Sequence, residues 1–176
     1  WYRPRTEGLF ARIERHLDAD NDFWKVWTKE GLVSFYGTEA AAGNDPCTIR
    51  DPEDPSKVFG WKLWKTVDVF GNHILYEYER DLVNSDGPHL WEQSYLKSVK
   101  WNDFMVTGLT DPQYLTRVDF VYGERPDPFS EYHAGFEVRT VRRCEEIQVW
   151  HDPQLTAGYT TDFKVKSYLL TYLDER

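Results

Sequence analysis

The stretch VFGWKLWKTVDVFGNHILYEYER (58–80) decides the fold class. In 58–68, Phe59, Trp61 and Leu63 alternate with Gly60, Lys62 and Trp64, the period of a strand whose successive side chains point to opposite faces. FGN (70–72) supplies a turn, with Gly71 and Asn72 the residues that tolerate its backbone. HILYEYER (73–80) then returns with Ile74, Tyr76 and Tyr78 on one face and His73, Glu77 and Glu79 on the other. This is an antiparallel hairpin.

The same period runs outward in both directions. Toward the N-terminus, Leu9, Ala11 and Ile13 alternate with Arg12, Glu14 and His16, while FWKVWTK (23–29) and LVSFYG (32–37) read as a hairpin turning at Glu30-Gly31. Toward the C-terminus, SYLKSVKW (94–101), QYLTRVDF (113–120), FEVRTVRRCEEIQVW (136–150) and TTDFKVKSYLLTYL (160–173) read as strands. Prolines, glycines and acidic residues make 38–57 a loop, turn residues make 81–93 another, and PDPFSEYHAG (126–135) reads as a sharp connection or a single helical turn. No stretch of ten to twelve residues sustains a helical period. The expectation is one mainly β domain over 1–176, an antiparallel meander with few or no helices.

Composition agrees. The 176 residues are 40% hydrophobic and 16% aromatic, globular values that exclude disorder for most of the chain. No apolar run is long enough to span a membrane. The net charge of -9 argues against a nucleic-acid partner, since Arg139, Arg142 and Arg143 are followed at once by Glu145 and Glu146. The chain opens on Trp1 rather than Met, which suggests a piece of a longer polypeptide.

Sites of chemistry are thin. Asp18, Asp20 and Asp22 open a calcium-loop pattern that fails at Phe23 and Lys29. The five histidines, 16, 73, 89, 133 and 151, have no zinc-ligand spacing. Neither metal nor cofactor is expected. Cys47 and Cys144 form at most one bridge, and Cys144 reads as a small apolar residue of a sheet rather than a nucleophile. Glu77 and Glu79, two apart on one strand, have a spacing compatible with paired-carboxylate hydrolysis, although a wet strand face explains them as well. Trp24 and Trp27 have opposite strand parity, as do Trp61 and Trp64, so one ring of each pair points outward, to stack on a sugar or fill a gap against a neighbouring domain.

Four blocks in order, YRPRTEGLFARIERH (2–16), DFWKVWTKEGLVSFYGT (22–38), IRDPEDPSKVFGWKLWKTVDVFGNHILYEYE (49–79) and RPDPFSEYHAGFEVRTVRRC (125–144), resemble the SpvB-like domain family. That family includes the B component of Tc insecticidal toxins and a Salmonella virulence protein. FGNHILYEYE also resembles the tyrosine-aspartate repeat of Rhs proteins, with Glu79 in place of Asp. The resemblance implies a structural segment of a secreted or extracellular protein, part of a hollow β-sheet shell that B and C components build around a toxic domain and dock on an A component. Its partners would be the other domains of its own polypeptide and, in a Tc assembly, the C and A components. It also implies that catalysis lies elsewhere: the Ser-Thr-Ser of the family's ADP-ribosyltransferase domain is missing, and the sole Glu-x-Glu is Glu77-Tyr78-Glu79. His133 stands where the family often has Arg.

Structural roles are therefore expected for Gly71, Asn72, Tyr76, Tyr78, Asp127, Pro128, Phe129 and Gly135, and sugar or domain contact for Trp24, Trp27, Trp61 and Trp64. A carbohydrate-binding domain using exposed tryptophans and a carboxylate-dependent hydrolase are the alternative readings.

Overall fold

The computed structural model describes residues 2, 8, 10–41, 45–86, 89–106, 108–152 and 162–173, with 82–86 described by backbone alone. These residues form strands and turns without a helix, a mainly β antiparallel fold. The strands are β1 (Arg12–Leu17), β2 (Asp22–Trp27), β3 (Val33–Tyr36), β4 (Thr48–Arg50), β5 (Val58–Trp61), β6 (Leu63–Val67), β7 (His73–Asp86), β8 (His89–Phe104), β9 (Gln113–Glu131), β10 (Val138–His151) and β11 (Phe163–Leu169). Nine of them make one sheet in the order β1-β2-β3-β6-β7-β8-β9-β10-β11, and β4-β5 makes a second, two-stranded sheet.

The hairpin at the centre of the sequence argument is present but starts later. The run 58–68 is two strands, because β5 pairs with β4 while β6 pairs with β3 and β7. At the switch, the Lys62 N–H turns away to the Cys47 carbonyl (2.6 Å) and the Lys62 carbonyl accepts from Gly37 N–H (2.9 Å). The stretch 38–57 therefore contains a short strand, β4, where a loop was expected. The connection between β2 and β3 is likewise longer than two residues: Thr28 N–H bonds the Leu32 carbonyl and Gly31 N–H the Thr28 carbonyl.

Two further expectations are corrected. The stretch 81–93 is strand on both sides of 87–88, and its extra residues are absorbed by a bulge between Asp81 and Asn84. Polar turn-forming residues remain in a ladder here because β8 offers partners for them. Asp127, Pro128 and Phe129 are not in a sharp connection: β9 continues to Glu131, and Arg125, Pro126, Asp127 and Pro128 bulge out opposite Val141 alone. Neither proline has an N–H for the ladder, which is why the chain bows there. Gly135 lies in the actual turn, its N–H bonded to the Tyr132 carbonyl (3.0 Å). Between 136–150 and 160–173 the sequence reads HDPQLTAGY (151–159) as the connection; His151 instead ends β10, and 153–159 lie outside the described residues.

The core is mixed. Phe23, Phe35, Trp91, Tyr95 and Cys47 are buried, together with Asp45, Thr48, Arg50, Asp81, Glu92 and Ser94. The polar group is what fastens the small sheet to the large one. Ser94 Oγ donates to the Pro46 carbonyl (2.7 Å), Lys62 Nζ to the Ser94 carbonyl (2.5 Å), and Arg50 N–H to Glu92 Oε1 (3.2 Å). Glu92 Oε2 receives Arg80 Nη2 at 2.6 Å, and Arg50 Nε donates to Thr48 Oγ1 at 2.7 Å. Buried charges persist only when paired in this way.

Candidate functional site

Cross-strand register builds a feature that no single strand displays. Lys25, Phe35, Lys65, Leu75, Lys100, Arg117, Trp150 and Lys164 are direct neighbours in succession across eight strands. At a strand spacing of ~4.8 Å, this row is about 34 Å long. Its cations lie on its rings: Lys25 and Lys65 are 4.9 and 4.5 Å from the Phe35 centroid, and Arg117 is 4.9 Å from that of Trp150. Carboxylates pair with four of its five cations, Lys65, Lys100, Arg117 and Lys164. Glu77 pairs with Lys100 (2.6 Å), Glu39 with Lys65 (3.1 Å), Asp119 and Asp162 with Arg117 (3.0 and 2.7 Å) and Glu146 with Lys164 (3.4 Å).

Around Glu77, Lys100, Arg117 and Asp119 the sheet is concave, with a cleft of about 740 Å³ that also takes in Glu79 and Tyr114. Glu77 does not have the electrostatics of a general acid. Burial raises the Glu77 pKa, but hydrogen bonds from Lys100 and Ser98 outweigh it and hold the group below its ordinary value. Glu79 is held by Arg142 (3.0 Å). Paired-carboxylate hydrolysis needs one carboxyl kept protonated near neutrality, and Glu77 is shifted the wrong way. Thiol chemistry fares no better: burial pushes Cys47 up to about 12 and also raises Cys144, and both are free thiols. The thiolate, not the thiol, is the nucleophile.

Trp24, Trp27, Trp61 and Trp64 each make ring or cation contacts within the chain. Trp24 and Trp61 meet edge to face, centroids 5.7 Å apart at 77°, and Trp61 Nε1 donates to the Asp22 carbonyl (2.9 Å). Trp64 meets Phe35 edge to face at 6.1 Å, and Trp27 lies under Arg12 at 4.7 Å. All four are half-buried. In the Asp18–Asp22 segment, Asp18 Oδ1 accepts from the N–H groups of Asp20 and Asn21 (both 2.9 Å), while Asp22 pairs with Arg15 (2.9 Å). No group of residues placed to hold a metal occurs among the described residues.

The remaining predicted residues are dispersed. Gly71 (φ 86°) and Asn72 sit in the β6–β7 turn, where Asp68 is the organiser that sequence reasoning missed: its Oδ1 accepts from Phe70 and Asn72 N–H (2.8 and 2.9 Å), its Oδ2 from Asn72 Nδ2 (2.7 Å). An Asp two residues ahead of the turn's Phe-Gly-Asn was the available signal. Tyr76 and Tyr78 are half-buried beside Cys47, lining a smaller cleft of about 360 Å³, and burial raises the Tyr78 phenol above its ordinary range. Asp127 receives both Arg125 Nε and Nη2 (3.1 Å each), and the same guanidinium lies 4.7 Å from the Phe129 ring. The sequence also gave no sign of the Arg50–Glu92–Arg80 network.

Comparison with known proteins adds the family. Residues 1–124 and 110–152 match the family described as Salmonella virulence plasmid 65kDa B protein. The mono(ADP-ribosyl)transferase SpvB of Salmonella typhimurium is 29% identical over 186 residues, covering 85% of this chain and 31% of that protein. The chain therefore spans about a third of the curated relatives it matches. Among solved structures, the N-terminal domain of effector protein SpvB from Salmonella typhimurium strain LT2 superposes with a TM-score of 0.82 at 25% identity, covering 98% of this chain and 63% of that one. A Photorhabdus luminescens Tc holotoxin pore superposes at 0.78 and 25% identity over 99% of this chain and 10% of that one. The TcdB2-TccC3-Cdc42 complex superposes at 0.79 over 97% of this chain and 10% of that one, a likeness of fold at 24% identity.

Proposed function

Since the chain belongs to the SpvB family, we propose that it is a non-catalytic structural module, part of the wall of a β-sheet shell that encloses and delivers a toxin domain. The observation that carries this reading is the superposition of nearly the whole chain on both the SpvB N-terminal domain and chains of Tc toxin complexes. In each solved chain the matched part is a fraction of something larger.

The geometry supports it physically. A shell wall needs a wide sheet whose edges continue into neighbours, because an unpaired edge leaves a row of backbone donors and acceptors unsatisfied. Here the main sheet is nine strands wide, and every residue of its edge strand β11 is exposed, including Phe163, Val165, Tyr168 and Leu169. Large apolar side chains on an open edge mark a surface that another segment covers. Under this reading the partners are the other domains of the same polypeptide and the C and A components of a Tc-type complex, and the protein works outside the cell that makes it.

Cryo-electron microscopy of the full-length polypeptide tests the proposal. The expected result is this chain built into a continuous closed wall, with β11 paired to a further strand. A chain standing apart as an isolated unit would refute it. An assay for ADP-ribosyl transfer from NAD by the 176-residue chain is expected to stay at background, and enzyme-dependent transfer would refute the non-catalytic part.

A further inference from the structure

Three connections gather at one end of the main sheet. Register places them together: Val33 opposes Val67, Val67 opposes His73, and the His73 N–H donates to Asp103 Oδ1 (2.8 Å). The β2–β3 connection (28–32), the β6–β7 turn (68–72) and the described residues of the β8–β9 connection (105–106 and 108–112) are therefore neighbours, and Val69 lies directly over Gly31. This end is unusually apolar for a tip. Phe70 is 87% exposed, Val69 64%, Met105 62% and Leu109 49%. Exposed apolar side chains scattered singly need no explanation, but a contiguous group at one end of a domain marks a contact surface.

At the same end of the sheet is a cleft of about 540 Å³ whose apolar lining is Leu32, Ile74, Trp101 and Leu115, and whose carboxylates are Asp68 and Asp103. These two acids differ from those of the ladder row. Glu39, Glu77, Asp119 and Glu146 each have a Lys or Arg within 4 Å. Among the described residues, Asp68 and Asp103 have neither: Asp68 takes backbone N–H groups and the Asn72 amide, and Asp103 has only His73, with Nδ1 at 3.2 Å. Hydrogen bonds from Asn72 hold the Asp68 carboxyl below its ordinary pKa. A negative charge beside low-dielectric apolar surface attracts a cation more strongly than it would in open water.

We propose that this end of the sheet is a docking surface for a basic polypeptide segment, one that places a bulky aromatic side chain in the cleft and a flanking Lys or Arg on Asp68 and Asp103. Charge complementarity selects this occupant. An acidic segment would meet carboxylates that have no Lys or Arg beside them, an anionic membrane would be repelled by them, and a neutral apolar one would desolvate them without supplying a cation. The inference goes beyond the shell reading and does not need it, since it rests on the three connections alone.

The test is an NMR titration of the ¹⁵N-labelled 176-residue chain with the blocked peptide Gly-Arg-Trp-Arg-Gly, using Gly-Glu-Trp-Glu-Gly and Gly-Arg-Gly-Arg-Gly as controls. Shifts are expected to concentrate in 28–32, 66–74 and 101–115, with the first peptide binding about tenfold or more tighter than either control, a difference that corresponds to 1.4 kcal/mol. High salt should weaken it. Asp103→Asn keeps an acceptor for the His73 N–H and is expected to remove most of the preference for the basic over the acidic peptide. Phe70→Ser changes a side chain at the tip and is expected to weaken binding without altering the rest of the spectrum. Dispersed shifts, equal binding of the acidic peptide, or no saturable shift would overturn the proposal. So would concentration-dependent self-association abolished by Phe70→Ser, which would make a second copy the occupant.

Discussion

Replacing Glu92 by alanine removes the charge that joins three strands. The side chain is 2% exposed, lies 2.6 Å from Arg80 Nη2 and accepts the Arg50 N–H at 3.2 Å. Arg50 is itself 3% exposed, so the substitution withdraws a carboxylate from a region where water cannot replace it. Breaking a buried pair by deleting one partner costs roughly 3–5 kcal/mol, mostly the penalty of the charge left behind. That is a large part of the ~5–15 kcal/mol that holds a domain folded. For a domain of this size it corresponds to a fall of about 6–20 °C in Tm, at about 2–4 °C per kcal/mol. Glu92→Gln keeps an acceptor for Arg50 N–H but loses the charge, and a cost of about 1.5–3 kcal/mol is expected, the range for a hydrogen bond to a charged group. Urea unfolding followed by tryptophan fluorescence measures both, and the double variant Glu92→Ala/Arg80→Ala measures the coupling. If Glu92→Ala costs under about 1 kcal/mol, the network does not clamp the small sheet to the large one, and if the Glu92 and Arg80 sites prove additive, the β7–β8 ion pair within the main sheet is not part of that clamp.

Three other outcomes follow from the same geometry. Gly37→Ala should cost well over 2 kcal/mol, because at φ 87° a Cβ would stand 2.8 Å from Trp61 Cδ1 and 3.1 Å from Phe23 Cβ; Gly71→Ala, at φ 86° with open space around it, should cost only the ~1–2 kcal/mol of a left-handed residue. Thermal melts of the two variants separate the effects, and equal Tm values would refute the packing argument. Glu77 has a folded-state pKa below its ordinary 4.5, so it contributes stability above that pH which is lost as pH falls through the folded value; the urea midpoint of Glu77→Gln should therefore drop less than that of the parent protein between neutral pH and acid, and parallel curves would refute it. Cys47, buried and with its thiol raised to about 12, should resist a thiol reagent at mildly alkaline pH in the native protein and react fully in urea, as counted by mass spectrometry; rapid native labelling at Cys47 would contradict its placement.

Much of the fold was legible because period two survives wherever a strand has unlike faces. Residues 73–80 carry that period in β7, and the Asp68–Asn72 turn sits where the Phe-Gly-Asn triplet puts it. Boundaries failed where tertiary pairing overrode local chemistry. Lys62 interrupts an alternation that continues on both sides of it, yet β5 and β6 belong to different sheets, a fact written in the partner strand β4 and not in 58–68. Asn84, Ser85 and Asp86 are turn-forming residues that a long partner strand holds in a ladder. Pro126 and Pro128 carry the local signature of a strand end, yet they only bow β9 outward. The ladder row was illegible for another reason: its eight members are contributed one per strand, and only the register brings them into line. The Trp pairs show the opposite limit, since parity told which rings diverge but not that each would be closed over by a neighbouring aromatic or cation.

Backbone hydrogen exchange along β11 tests the central claim most directly. In the 176-residue chain alone, the edge strand Phe163–Leu169 pairs, among the described residues, only with β10 and is exposed along its length, so its outward amides should exchange quickly. In the full-length polypeptide, a wall that continues past β11 predicts that the same amides become protected by about tenfold or more, an opening free energy raised by at least 1.4 kcal/mol. Exchange along 163–169 that is equally fast in both would contradict the account of this chain as one panel of a larger β-sheet shell.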